Sequence, residues 1–197
     1  MRWKRVAAGA IGVAGVAALG MAWLYRRQQT NGAPEYAVET QGGPVELRLY
    51  APLTVAETVQ KGTRERATTS GFGLLADYIF AESREGEAIP LLMPLLVSEA
   101  GAGAWRVRLP MPHGATPESL PEPGPGVRIA TLPERRVATL RFPGRVTGAV
   151  LARKAAELHD WIVERGLAAI EPAEHAYYSA PSMPGPLRHN EIMIAVG

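Results

Sequence analysis

Residues Arg66–Phe80 read RATTSGFGLLADYIF, and this stretch decides how the rest of the chain is arranged. A helix that is apolar on two adjoining sides must be covered on both of them. The pattern therefore predicts a helix with a sheet below it and a loop or a ligand above it. Its small and apolar residues fall on two neighbouring stripes at helical spacing: Ala67, Gly71, Leu74 and Tyr78, and beside them Phe72, Leu75 and Ile79.

Length and composition predict one ordinary domain with an appendage. The chain has 197 residues, of which 47% are apolar, so it can bury a real core. It has no cysteine, which excludes disulfides, thiolate metal sites and cysteine nucleophiles.

The basic charge is concentrated at the N-terminus. Residues 1–27 carry five basic side chains and no acid, and without them the formal net charge of +2 falls to −3. A nucleic-acid-binding domain would show the opposite distribution, with the basic residues on its folded part. We therefore expect no nucleic-acid partner.

Residues 6–25 form a run of twenty uncharged residues with basic residues on both sides. As a helix this run would span roughly 30 Å, the thickness of a bilayer's hydrocarbon core. It predicts a single-pass membrane anchor over residues 1–27, a polar tether over 28–34 and a folded domain over 35–197. We expect that domain outside the cytoplasm, on the periplasmic side; a cleaved signal peptide is the alternative.

The folded part contains a near-repeat of two strands, a helix and two strands. The segment VELRLYAPLTVAETV, from Val45, aligns with VRIATLPERRVATLRF, from Val127. Each segment leads into a helix and two further strands. Thr147 is a predicted N-cap for the second helix, and Gly166 ends it. The run Ile89–Val97 is predicted as an edge strand or a bulge because of its prolines. The repeat predicts one pseudo-twofold domain of two small sheets joined by two helices.

The chain resembles the SOUL, or heme-binding-protein, family. The resemblance rests on ELRLYAPLTVAET, RATTSGFGLLADYIF, VRIATLPERRVATLRFPG and LRHNEIMI, and it covers nearly all of residues 36–197. It implies an α+β fold, a distorted antiparallel β-barrel with two helices and an internal pseudo-twofold repeat, as also found in effector-binding domains. The chain departs from the family pattern at Leu92, where a threonine is usual, and at His189, where an arginine is usual.

The resemblance implies that heme or another tetrapyrrole binds in an apolar groove against the first helix. We expect its propionates near the start of that helix, where backbone N–H groups also favour anions. The candidate contacts are Leu74, Leu75, Tyr78 and Met183 for the macrocycle, and Lys61, Arg64 and Arg66 for the propionates. Each apolar candidate has the alternative role of packing the core, and the cations that of a solvated helix end.

An axial iron ligand is optional for such a site. His175, near Tyr177 and Tyr178, is the first candidate to ligate the metal; His113, His159, His189 and Met93 are weaker ones. Binding without a protein ligand is an equal alternative. The sequence contains no HExxH motif, nucleophile elbow or phosphate-binding glycine loop.

Three functions fit these residues. The first is a membrane-anchored protein that binds a tetrapyrrole for buffering, transport or sensing, without catalysis. The second is an enzyme that acts on a small hydrophobic molecule with Glu191 as acid–base; the alternative role for Glu191 is an ion pair with an arginine such as Arg188. The third is a membrane-tethered interaction module without a small ligand. No oligomeric state is predicted.

Overall fold

The computed structural model describes residues 34–82, 84–179 and 183–197. The predicted anchor and nearly all of the tether lie outside these residues. Within the described part, no helix is long and apolar enough to cross a membrane.

The described residues form nine strands and two long helices. The helices are α1, Arg64–Phe80, and α2, Gly148–Glu164. The strands are β1 Tyr36–Gly42, β2 Val45–Tyr50, β3 Leu53–Lys61, β4 Leu95–Glu99, β5 Ala104–Pro110, β6 Arg128–Leu132, β7 Arg135–Pro143, β8 Glu174–Tyr177 and β9 His189–Val196.

Local capping chemistry fixes the ends of both helices. The Thr63 hydroxyl accepts a hydrogen bond from the Arg66 N–H, so α1 begins two residues before the predicted start. Ala81, with a φ of 59°, ends α1 in the left-handed region. Thr147 caps α2 as predicted, accepting from the Val150 N–H.

All nine strands belong to one antiparallel sheet in the order β1-β2-β7-β9-β8-β4-β5-β3-β6. The prediction of two small sheets is wrong, because β4 pairs with β8 and joins the two halves. The predicted barrel is also only partly formed: the sheet curls into a half-barrel whose edge strands, β1 and β6, do not pair with each other.

The strand order has the predicted twofold relation. Exchanging β2 with β6, β3 with β7, β4 with β8 and β5 with β9 reverses the order of these eight strands and leaves the pairing unchanged. The pseudo-axis therefore passes between β4 and β8, and β1 is an addition outside the repeat.

Two predicted strands differ from the observed ones. In the run Ile89–Val97, the prolines keep residues up to Pro94 out of the sheet, and Met93–Pro94 is a cis peptide, so β4 begins only at Leu95. The sequence also predicts a strand over residues 176–180; the observed strand, β8, begins earlier, at Glu174, and ends at Tyr177.

Both helices pack on the same face of the sheet. Leu75 and Ile79 of α1 pack with Val107 and Leu109 of β5 in one apolar core. Gly71 brings α1 close to the sheet, since a Cβ added there would lie 2.7 Å from Val107 Cγ2. The core under α2 contains Leu151, Leu158, Ile162, Leu140, Ile192 and Ile194.

The opposite face, which we call the helix-free face, carries many charged side chains around a small apolar cluster of Tyr50, Leu96, Val137, Ala176 and Met193. Side chains alternate between the two faces of a strand, so the residues that alternate with the apolar core residues along each strand point to this side. Registers assign to it Arg48, Arg106, Arg108, Arg128, Arg135 and Arg141, interleaved with Glu46, Glu57, Glu174 and Glu191.

Candidate functional site

His175 contacts Arg64 in the first turn of α1 and is not available to a ligand through its Nδ1 atom. Arg64 Nη1 lies 3.2 Å from His175 Nδ1 and 2.6 Å from the Tyr177 hydroxyl. A guanidinium can only donate, so Nδ1 must be the acceptor and the ring proton must sit on Nε2. Burial, together with the charge of Arg64, lowers the pKa of His175 to about 4.

This arrangement does not fit His175 as an axial iron ligand. A ligating histidine coordinates through one ring nitrogen and donates its other ring N–H to an acceptor. Here the nitrogen that would have to donate faces Arg64, and the opposite nitrogen carries the proton. Among the described residues no group of His, Cys, Asp and Glu side chains could hold a metal ion.

The other two predicted propionate cations stand apart from Arg64. Arg66 is exposed on α1, and Lys61 is exposed at the end of β3. Strand alternation places Lys61 on the helix-free face, with Glu57 and Val59, whereas Arg64 contacts side chains on the helix face. The structure thus does not bring the three cations together.

The side of α1 that carries Tyr78 is covered by the chain itself. Leu75 is fully buried in the core, and the buried Tyr78 donates its hydroxyl to the carbonyl of Pro121, 2.8 Å away. Only Leu74 of the predicted apolar contacts is exposed, at 37%. The connector between β5 and β6 supplies the cover, with Ala115, Leu120 and Val127 packed against this core.

The remaining candidates are scattered. Met183 is half-buried, and its carbonyl accepts a hydrogen bond from Arg188. His113 is exposed, 3.5 Å from Glu35, and His159 is exposed on α2. His189 is buried and stacks on Tyr178, with ring centroids 4.3 Å apart.

A buried ion pair occupies the centre of the helix-free face. Arg48 donates to both carboxylate oxygens of Glu191, at 2.9 and 3.1 Å, and each side chain is 1% exposed. Arg48 also donates to Glu46 at 2.7 Å and to the Tyr50 hydroxyl at 3.1 Å. Burial raises the pKa of Tyr50 to about 12, although the positive charge of Arg48 acts to lower this pKa.

Three more side chains saturate the Glu191 carboxylate. Tyr178 donates to it at 2.9 Å, Arg141 at 3.3 Å, and His189 Nε2 lies 3.0 Å away. Burial alone would raise the pKa of Glu191, but the hydrogen bonds from His189 and Arg48 and the charge of Arg48 outweigh it and hold the pKa well below its usual range. Glu191 is therefore an ionised structural anion.

An apolar cleft lies beside this ion pair, where the two halves of the repeat meet. The cleft is shallow, and its enclosed volume of about 10 Å³ has room for roughly one water molecule. The β2–β3 turn supplies one side and the equivalent β6–β7 turn the other. The lining includes Tyr50, Ala51, Leu53, Pro94, Leu96, Leu132, Pro133, Arg135, Tyr178 and Met193, and also Pro34.

One cation lines the cleft. Arg135 donates to Glu174 at 2.8 Å and to the exposed Glu171 at 3.4 Å. The cleft therefore has an aromatic and aliphatic wall with a guanidinium among its lining groups. This lining, apolar with one placed cation, resembles that of small-molecule sites, but the cleft is far smaller than most of them.

Sequence reasoning missed most of these residues. Glu191 was singled out, but its partner is Arg48, 143 residues away, rather than the neighbouring Arg188. The signal in the sequence was the alternation in VELRLY, which puts Glu46, Arg48 and Tyr50 on one face of β2.

The fold and the cleft define an α+β half-barrel domain with both helices on one face and an apolar cleft on the other. Residues 32–195 match the family described as SOUL heme-binding protein, and the chain belongs to this family. No curated protein sequence matches the chain.

Solved structures share the fold at low sequence identity. The C-terminal domain of EcmrR is 9% identical, with a TM-score of 0.61, covering 82% of this chain and 98% of that one. A hydrolase from Listeria innocua is 16% identical, with a TM-score of 0.54, covering 81% and 94%. An uncharacterized conserved protein from Listeria innocua is 15% identical, with a TM-score of 0.55, covering 78% and 92%. At these identities the likeness shows the fold alone.

Proposed function

We propose that this protein binds heme or a related tetrapyrrole in the cleft on the helix-free face, and that it buffers, carries or senses this ligand without catalysis. The observation that carries the proposal is the lining of the cleft, in which Tyr50, Tyr178 and Met193 accompany Arg135. Aromatic faces and a thioether suit a flat apolar ring, and a guanidinium suits a carboxylate. The family of the chain supports the choice of ligand.

The volume of the cleft sets how such a ligand would enter. Its enclosed volume of about 10 Å³ is far below the roughly 300–1,000 Å³ common for ligand pockets, so the cleft does not enclose a macrocycle. A macrocycle would rest against the mouth of the cleft with most of its surface in solvent, which suits a protein that takes up and releases its ligand.

Iron coordination has no part in the proposal, because His175 lies on the other face in the wrong tautomer for ligation. Heme supplies its ring and its propionates, and Tyr50, Tyr178 and Met193 would hold that ring by contact alone. The helix face offers a second location, favoured by the open space over Gly73 beside the half-exposed Leu74 and by the exposed Arg66.

The enzymatic alternative with Glu191 as acid–base is poorly supported. Its carboxylate accepts from Arg48, Tyr178 and Arg141 and stays ionised at neutral pH, so it holds no proton to donate. An interaction module without a ligand is favoured only by the connector over α1; the cleft on the other face argues for a ligand.

Titration of the full-length protein in detergent with hemin and with iron-free protoporphyrin tests the proposal. A Soret shift and porphyrin fluorescence should report saturable binding of both at micromolar protein. Their affinities should agree within about a factor of three, a difference below about 0.7 kcal/mol, because iron makes no bond to the protein. Absence of binding by either ligand would refute the proposal.

A further inference from the structure

A second group of charges lies on the helix-free face, on β3, β5 and β6. Glu57 of β3 is 3% exposed and has three guanidinium groups around it. Arg108 donates to it at 2.9 Å, Arg128 makes two hydrogen bonds to it, and Arg106 Nε lies 3.9 Å away. One carboxylate therefore serves three cations.

Further carboxylates do not balance this excess at the Glu57 end. Glu174 pairs with Arg108 at 2.7 Å and with Arg135 at 2.8 Å, so its charge is already shared. The side chain of Arg106 makes no hydrogen bond within the described residues, and its buried Nε, 3.9 Å from Glu57, has no acceptor within hydrogen-bond distance. Unpaired buried donors are uncommon in folded proteins, and a water or an anion is an ordinary partner for such a donor.

Val59 lies at the centre of this cationic patch, which we define as Lys61, Arg106 and Arg128 around Val59. Arg106 stands directly opposite Val59 in the β3–β5 register, and Arg128 stands opposite Glu57, two residues away. The Val59 side chain is 49% exposed, and the side chains of Arg106 and Arg128 are 34% and 71% exposed. The patch is thus open to solvent around an apolar floor.

We propose that the cationic patch binds a soluble phosphate-bearing molecule over Val59. Cations from three adjacent strands surround the floor, and a tetrahedral phosphate directs its oxygens at all of them, whereas a carboxylate has two oxygens in one plane.

The position of the patch favours a soluble source over a lipid headgroup. Leu53, at the start of β3, lines the cleft together with Pro34, where the chain comes in from the predicted anchor. Lys61 is eight residues further along the strand, about 26 Å away. The patch therefore lies at the end of β3 remote from Pro34, the first described residue. The site is separate from the cleft and does not depend on the tetrapyrrole proposal.

Calorimetric titration of the full-length protein with inorganic pyrophosphate tests this inference. We expect saturable binding that Arg106→Gln weakens roughly tenfold, since it removes a charge-assisted bidentate contact. Val59→Glu should abolish binding by placing a carboxylate on the floor, and as an exposed position it leaves the core intact. Arg153→Gln, an exposed arginine on α2, is the matched control and should bind as wild type.

The second arm of the experiment measures binding of the same full-length proteins to vesicles that contain anionic phospholipid. Equal weakening by Arg106→Gln and Arg153→Gln would overturn the site, because it would mean general charge attraction. Binding through Arg106 to vesicles but not to pyrophosphate would overturn the soluble source. Unchanged thermal midpoints for the three variants show that lost binding is not lost folding.

Discussion

The side chains of Arg48 and Glu191 form a two-bond ion pair between β2 and β9, although 143 residues separate them in sequence. The two residues do not lie on adjacent strands, because β7 is between β2 and β9. Both reach across β7 on the helix-free face. The pair therefore links the first half of the repeat to the last strand of the second half.

Breaking this pair from one side should be costly. We expect Arg48→Met to lower the free energy of unfolding by about 3 kcal/mol, the low end for an uncompensated buried charge, because Arg141 and His189 still contact the carboxylate. Urea unfolding measures it. The double variant Arg48→Met with Glu191→Gln should lose clearly less than the sum of the single variants; strict additivity would show that the two side chains are not coupled.

His175 predicts a pH dependence of stability. Its folded-state pKa of about 4 is below its unfolded value of about 6.5, so in this window the unfolded state binds more protons. Stability is therefore full above pH 6.5 and falls as the pH is lowered from 6.5 to 4. His175→Asn should weaken the pH dependence of the denaturation midpoint between pH 4 and 6.5. The control His159→Asn, at an exposed position, should keep the wild-type pH dependence.

Two glycines of α1 form a matched pair for testing helix–sheet contact. A Cβ at Gly71 would lie 2.7 Å from Val107 Cγ2, while one at Gly73 meets nothing within 4 Å. Gly71→Ala should destabilise by about 1–3 kcal/mol through overpacking. Gly73→Ala should stabilise by up to about 1 kcal/mol through helix propensity. A shift of the thermal midpoint in the same direction by both changes would contradict the close packing of α1 against the sheet at Gly71.

The hydroxyl of Tyr78 anchors the connector over α1 through the Pro121 carbonyl. Tyr78→Phe keeps the ring in the core but removes this bond, at a cost of about 1 kcal/mol. Limited proteolysis should then cut faster between residues 112 and 127, which can be read by mass spectrometry. An unchanged cleavage rate there would mean that apolar packing alone holds the connector.

The helices and most strands followed from local patterns. The stripes of α1, the Thr147 cap and the repeated strand pairs each depend on residues close in sequence, and that is why they could be predicted. The single sheet depends on β4 pairing with β8, a contact between distant segments that no local pattern encodes.

The site depends on longer relationships still. Leu75 and Tyr78 were expected to meet a ligand because their stripe needed a cover, and periodicity does not say what covers it. The connector, with Leu120 and Val127, supplies that cover. The cleft arises where two equivalent turns meet across the pseudo-axis, so Tyr50 and Arg135 become neighbours only in the assembled sheet.

The most direct test of the cleft as the ligand site is to block it. Ala51 is exposed at the cleft, and Ala51→Trp would fill it without entering the core. Ala152→Trp, at an exposed position of α2, is the control, and Leu74→Glu probes the alternative location on α1. We predict that Ala51→Trp weakens hemin binding by roughly tenfold or more while the other two variants titrate like wild type. Wild-type hemin affinity in Ala51→Trp, with loss in Leu74→Glu, would contradict the cleft and assign the ligand to the helix face.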